Sequence, residues 1–153
     1  SSDWLYEMTC LNFLEDITKE KGGIPFPNKV SFISQNWKKY PALIQDSTLV
    51  TKIIDIEKTI NGRAYYYIPK EKVLPFAGQI KTGDIILITT KKKGLDTAHV
   101  GIAIENEGQI YLLHASVSDK KVSITTETLP DYLQRITSHS GIMIGRLINF
   151  KSN

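Results

Sequence analysis

The chain has 153 residues, 41% of them hydrophobic and 23% charged, with 19 basic against 16 acidic side chains and a formal charge of +3. That is a globular composition, and a chain of this size can bury roughly two-thirds of the surface it exposes when unfolded, so disordered and fibrous classes are excluded. No stretch reaches the ~20 apolar residues of a membrane span, and the first residues lack the basic-then-apolar pattern of a signal peptide. The basic excess sits largely in Lys91-Lys92-Lys93, not on a broad face interleaved with aromatics, which argues against nucleic acid as a partner.

Taken in chain order, Trp4 to Lys19 carries apolar residues near a 3.6-residue period and predicts a helix, stopped by Gly22-Gly23 and kept from restarting by Pro25 and Pro27. Val30 to Ile33 reads as a short extended piece. Ser47 is placed to cap a helix running through Ile60, with Asn61-Gly62 as its stop. The character then changes: Ala64 to Ile68 is extended and tyrosine-rich, and the turn Lys81-Thr82-Gly83-Asp84 feeds Ile85 to Thr90, whose unbroken apolar run predicts a strand buried on both faces. Strands follow at His99 to Ile104 and Gln109 to His114, joined by Asn106-Glu107-Gly108, and then at Val122 to Thr126. Leu129 to Ile136 predicts a short helix capped by Thr128, with Pro130 tolerated in its first turn, and Gly141 to Ile148 a final strand. Helices first and mostly antiparallel strands afterwards is an α+β pattern.

The strongest chemical signal is a pair of histidines. His99 opens one predicted strand and His114 closes its neighbour, 15 residues on, so a hairpin would bring both rings to one rim of the sheet. The small residues Ala115-Ser116 beside them leave room for a ligand. Three readings fit: a cysteine hydrolase in which one imidazole takes the thiol proton and the other orients it; a zinc hydrolase using Asp96, His99 and His114; or a module in which both rings only contact ligand. Tyr65-Tyr66-Tyr67 and Trp37 read as packing residues, and His139, between two serines, as an exposed loop residue. The single cysteine, Cys10, excludes an internal disulfide and offers no CxxC metal site.

In combination, Gly83-Asp84-Ile85-Ile86, His99-Val100-Gly101-Ile102 and His114-Ala115-Ser116 resemble the NlpC-type papain-like superfamily of bacterial wall hydrolases. Tyr67-Ile68-Pro69-Lys70, Ile85 to Thr90, Gly94-Leu95-Asp96, Gly141-Ile142-Met143 and Arg146-Leu147 resemble its N-acetylmuramoyl-L-alanine amidase branch. The resemblance implies an α+β papain-like fold, one amidase-like domain over residues 1–153 forming the C-terminal portion of a longer fold, and muropeptide or peptidoglycan fragments as substrate. It further implies a bacterial envelope or periplasmic location and no cofactor or metal. His99 would be the general base and His114 its orienting partner, with Thr89, Thr90, Asp96 and Ser116 near the cleft. An acidic polymer such as murein would also feel the modest positive field.

The nucleophile has two placements. Cys10-Leu11-Asn12-Phe13-Leu14-Glu15 reproduces the spacing of the family's cysteine segment, in which the thiol opens a helix. A gapless alternative aligns Asp3-Trp4-Leu5 and Asp16 to Ser34 with a segment downstream of that cysteine, which makes Cys10 an ordinary helix residue. We expect the gapless alignment, with the nucleophile-bearing helix outside these residues and the sheet surface it would cover left exposed.

Overall fold

The computed structural model describes residues 1–27, 29–118 and 120–148. Its elements are α1 (Ser2–Cys10), β1 (Leu14–Asp16), β2 (Ile24–Pro25), α2 (Phe32–Gln35), α3 (Pro41–Gln45), α4 (Thr48–Gly62), β3 (Tyr66–Pro69), α5 (Lys70–Phe76), β4 (Ile85–Thr90), β5 (Thr97–Asn106), β6 (Gln109–Ser116), β7 (Lys121–Ile124), α6 (Leu129–Arg135) and β8 (His139–Leu147). The strands form one open antiparallel sheet in the order β2-β3-β8-β4-β5-β6-β7, with β1 also pairing to β8. The fold is α+β.

The helix expected over Trp4 to Lys19 is two elements. α1 ends at Cys10, Asn12 takes a left-handed backbone (φ 59°), and Leu14–Asp16 pairs with β8 as β1. Leu14 therefore enters the core from a strand, which a helical reading of the same apolar positions cannot distinguish. The extended piece over Val30 to Ile33 is reduced to one bridge, Val30 to Gly94, before α2 begins at Phe32. Lys70–Phe76, unassigned in the sequence reading, is helical although it contains Pro75.

Register decides which side chains share a face. Ile86 and Ile88 on β4 lie opposite Ile144 and Ile142 on β8, and this face is packed by Val73 and Phe76 of α5 and Leu129 and Leu133 of α6. The other face of the same two strands presents Leu87 and Met143, covered by Leu5 of α1 and Leu14. β4 and β8 are thus buried on both sides, as the apolar run of β4 predicts; each fully buried aliphatic side chain stabilises by roughly 1.5–3 kcal/mol. The tyrosine-rich segment is also packing: Tyr65 and Tyr67 lie against this second cluster, and Tyr67 meets Phe26 edge-on with ring centroids 5.3 Å apart.

On the face covered by α1 at β4, the next strands are bare. Val100 and Ile102 on β5, opposite Leu87 and Ile85, are 52% and 38% exposed, and Val122 and Ile124 on β7 are 69% and 51% exposed.

Candidate functional site

Two strand irregularities build the site. At the β4–β5 junction the register steps from Ile88 opposite His99 to Thr89 opposite Thr97, so Ala98 is an extra residue; His99 lies on the regular side of this bulge and, paired with Ile88, shares its face, which α6 covers. Continuing the β5–β6 register one step past Ile102 opposite Leu113 sets Gly101 against His114, making His99 and His114 diagonal neighbours on that face. Aromatic rings reach across such a diagonal. His99 Nε2 and His114 Nδ1 lie 2.7 Å apart and share one proton, with the rings nearly perpendicular at 88°. Burial, and secondarily the neighbouring His114, lowers the pKa of His99 below the ordinary imidazole value, so it is neutral at pH 7.

The second irregularity brings in a residue that the sequence reading placed in an exposed loop. Along β8, Ile142 and Ile144 face α6, and strict alternation would turn His139 to the opposite side. Between Thr89 opposite Gly141 and Thr90 opposite His139 the register slips by one, and His139 rotates onto the face of the histidine pair. It is only 4% exposed. Tyr132 of α6 stands between them, its ring centroid 5.6 Å from both His114 and His139. Burial first, then repulsion from the protonated form of His99 and from Lys70, Arg135 and Lys92, pushes the pKa of His139 down to about 4. The signal in the sequence was the Ser138-His139-Ser140-Gly141 entry to a strand, but a bulge is invisible to a period-two reading.

The three histidines, Tyr132, Ser116 and Arg135 line one cavity of about 370 Å³. Arg135 is held by Glu127, its Nε and Nη2 donating at 2.8 and 2.6 Å to Oε1.

Of the remaining candidates, Ser116 alone lies in this cavity. Asp96 is buried elsewhere: its Oδ2 accepts from the backbone N–H and hydroxyl of Ser2 at 2.7 and 2.6 Å, and its Oδ1 from the N–H of Thr97. A carboxylate at the first turn of α1 compensates its free N–H groups and partial positive charge, so Asp96 anchors that helix and is not directed at the histidines. The expected alternative of a zinc site at Asp96, His99 and His114 is not assembled; among the described residues no group of three or more His, Cys, Asp and Glu side chains could hold a metal. Thr89 and Thr90 fix the bulged end of β4 to β8, through a 2.8 Å contact with the Ser140 hydroxyl and a 3.0 Å bond to the Ser138 carbonyl, and neither lines the histidine cavity.

Cys10 is exposed and is the last residue of α1. A helix C-terminus carries partial negative charge, the opposite of what favours a thiolate. Cys10 is not among the residues lining the histidine cavity, and the neighbour it engages is Tyr6, whose phenol its hydrogen bond raises.

The structure is similar to that of an N-acetylmuramoyl-L-alanine amidase from Bacteroides uniformis, at 34% identity and a TM-score of 0.89, over 97% of this chain and 63% of that one. It is also similar to a Bacteroides fragilis protein that carries a provisional xylanase name, at 35% identity and a TM-score of 0.88, over 95% and 64%. A Legionella pneumophila protein at 20% identity and a TM-score of 0.67 shares the fold. The chain thus spans less than two-thirds of the length of these solved relatives. Among curated protein sequences, none matches. The model of the AmiA-like family, described as N-acetylmuramoyl-L-alanine amidase-like, matches residues 1–142, and the chain belongs to that family.

Proposed function

We propose that this chain supplies the histidine half of a cysteine-type N-acetylmuramoyl-L-alanine amidase of NlpC-type papain-like fold, acting on muropeptides in the bacterial envelope. The observation that carries the reading is the 2.7 Å contact from His99 Nε2 to His114 Nδ1. If the shared proton sits on His99 Nε2, His114 holds that tautomer and leaves the lone pair on His99 Nδ1 as the base. A thiol beside Nδ1 would pass its proton there and attack the carbonyl carbon between the lactyl group and L-alanine. His99 would then return the proton to the departing alanine nitrogen, and a water activated by the same Nδ1 would cleave the thioester. Its lowered pKa keeps His99 in the neutral form that this first step requires.

The thiol is assigned to the part of the relatives' length that this chain does not match, because Cys10 ends α1 away from the cavity. Two other chemistries fit the described residues less well. Glycoside hydrolysis works with paired carboxylates, whereas among the described residues Glu127 is the one carboxylate lining the cavity, and it is tied to Arg135. A zinc mechanism would need a third ligand that Asp96 does not provide.

The test uses the 153-residue chain with N-acetylmuramoyl-L-alanyl-D-isoglutamine. Binding is expected to perturb the His99 and His114 side-chain resonances without releasing alanine amine, and Cys10 is expected to alkylate slowly at pH 6 at a rate unchanged by His99→Ala. Unmoved histidine resonances would overturn the substrate reading. Cleavage that is abolished by Cys10→Ser, with rapid labelling lost in His99→Ala, would put the nucleophile at Cys10 instead.

A further inference from the structure

His139 has no part in the two-histidine mechanism, yet it is 4% exposed and lines the same cavity. Its Nδ1 is buried with no hydrogen-bond partner. A ring nitrogen in that position carries either a proton or a lone pair, and an orphaned buried N–H is the rarer and costlier of the two. The proton therefore belongs on Nε2. Nε2 is the ring's other polar atom, and because His139 lines the cavity we take this nitrogen as the edge it offers there. Tyr132, packed between His139 and His114, holds the third ring in fixed relation to the pair.

We propose that His139 is a substrate-contacting residue, a neutral imidazole whose Nε2–H donates a hydrogen bond to an amide carbonyl oxygen of the muramyl-peptide. A carbonyl is the matching group because it accepts and never donates, which is all that a ring with its other nitrogen sealed can use. Burial first, then Lys70, Arg135, Lys92 and, once it is itself protonated, His99 keep it in that form by opposing its protonation, which is half complete only at about pH 4. A protonated histidine here would instead select a carboxylate. The inference rests on the muramyl-peptide reading and deepens it by naming a donor apart from the reacting pair.

Nitrogen-15 spectra of the histidine side chains in the 153-residue chain test it. The expected result is a neutral Nε2–H tautomer of His139 from pH 7 down to about 5, and a shift of that Nε2 signal on adding N-acetylmuramoyl-L-alanyl-D-isoglutamine. His139→Gln places an amide N–H close to the lost Nε2–H and should bind the ligand nearly as well. His139→Asn, whose amide lies where Nδ1 was, should bind about tenfold more weakly, as should His139→Phe, the loss expected for one hydrogen bond. An Nδ1–H tautomer in the unaltered chain overturns the proposal whether or not the variants fold. So does a ligand that shifts His99 and His114 and leaves His139 unmoved, or Asn and Phe variants that bind as tightly as Gln. A ligand that moves none of the three histidines overturns the muramyl-peptide reading, and this inference with it.

Discussion

His99→Ala is expected to lower muramyl-peptide turnover at least about a hundredfold in a protein that joins this chain to its thiol-bearing segment, with little change in thermal midpoint. The size follows from the role: without His99 neither the thiol, the leaving amine nor the water that cleaves the thioester has a positioned proton carrier. The small structural effect follows from the place, since His99 lies at the rim of β5 and the core beneath it is made by Ile86, Ile88, Ile142 and Ile144. His99→Gln separates base from scaffold, because an amide can still donate to His114 Nδ1 and cannot take a thiol proton; it should be as inactive as the alanine variant. The pH profile supplies a second check. Burial holds the pKa of His99 below 6.5, so the base is neutral at and above that pH, and kcat/KM should fall only as the solution becomes more acidic than an ordinary histidine would require. Turnover within tenfold of the parent for either variant would remove His99 from the proton path.

The histidine pair was legible because it depends on two properties that sequence carries well, strand periodicity and hairpin spacing. β5 and β6 form as the alternation and the Asn106-Glu107-Gly108 turn predict, with Glu107 and Gly108 both at positive φ. What the sequence concealed has one physical cause: the ends of β4 meet both neighbours through bulges. His99 keeps the face that its regular pairing with Ile88 gives it, just past the extra residue Ala98, but the slip near Ser140 turns His139 inward. Asp96, Thr89 and Thr90 are close to the histidines along the chain but are bound to Ser2, Ser140 and Ser138 instead. The helix end at Cys10 was also hidden, because Leu11, Phe13 and Leu14 continue an apolar pattern through a turn in which Leu11 and Phe13 are exposed. Position along the sequence identified the rim; register decided which side chains face it.

The largest stability effect is expected at Asp84, in the turn that launches β4. Its side chain is 3% exposed, and its two oxygens receive Arg146 Nε at 2.8 Å and Nη2 at 2.7 Å, while Oδ2 also accepts the Lys81 N–H at 2.9 Å. Arg146 is on β8, so this fork joins the start of one central strand to the end of the other, and the Asp84 hydrogen bonds raise the pKa of the guanidinium. Asp84→Ala leaves a guanidinium only 24% exposed without its counter-ion and a backbone N–H without its acceptor. Breaking such a pair from one side costs about 3–5 kcal/mol, and the lower end applies because Arg146 retains some water and its bond to the Gln79 carbonyl. For a domain of this size that corresponds to a fall of roughly 6–12 °C in thermal midpoint. Arg146→Met should be similarly harmful alone, whereas the double variant should recover much of the loss, because no uncompensated charge then remains buried. Additive losses in that cycle would mean that the two side chains act independently. The coupling matters for the site as well, since Ile88 and His139 lie on the two strands that this fork ties together; a loosened fork should broaden the His139 resonance before the sheet unfolds.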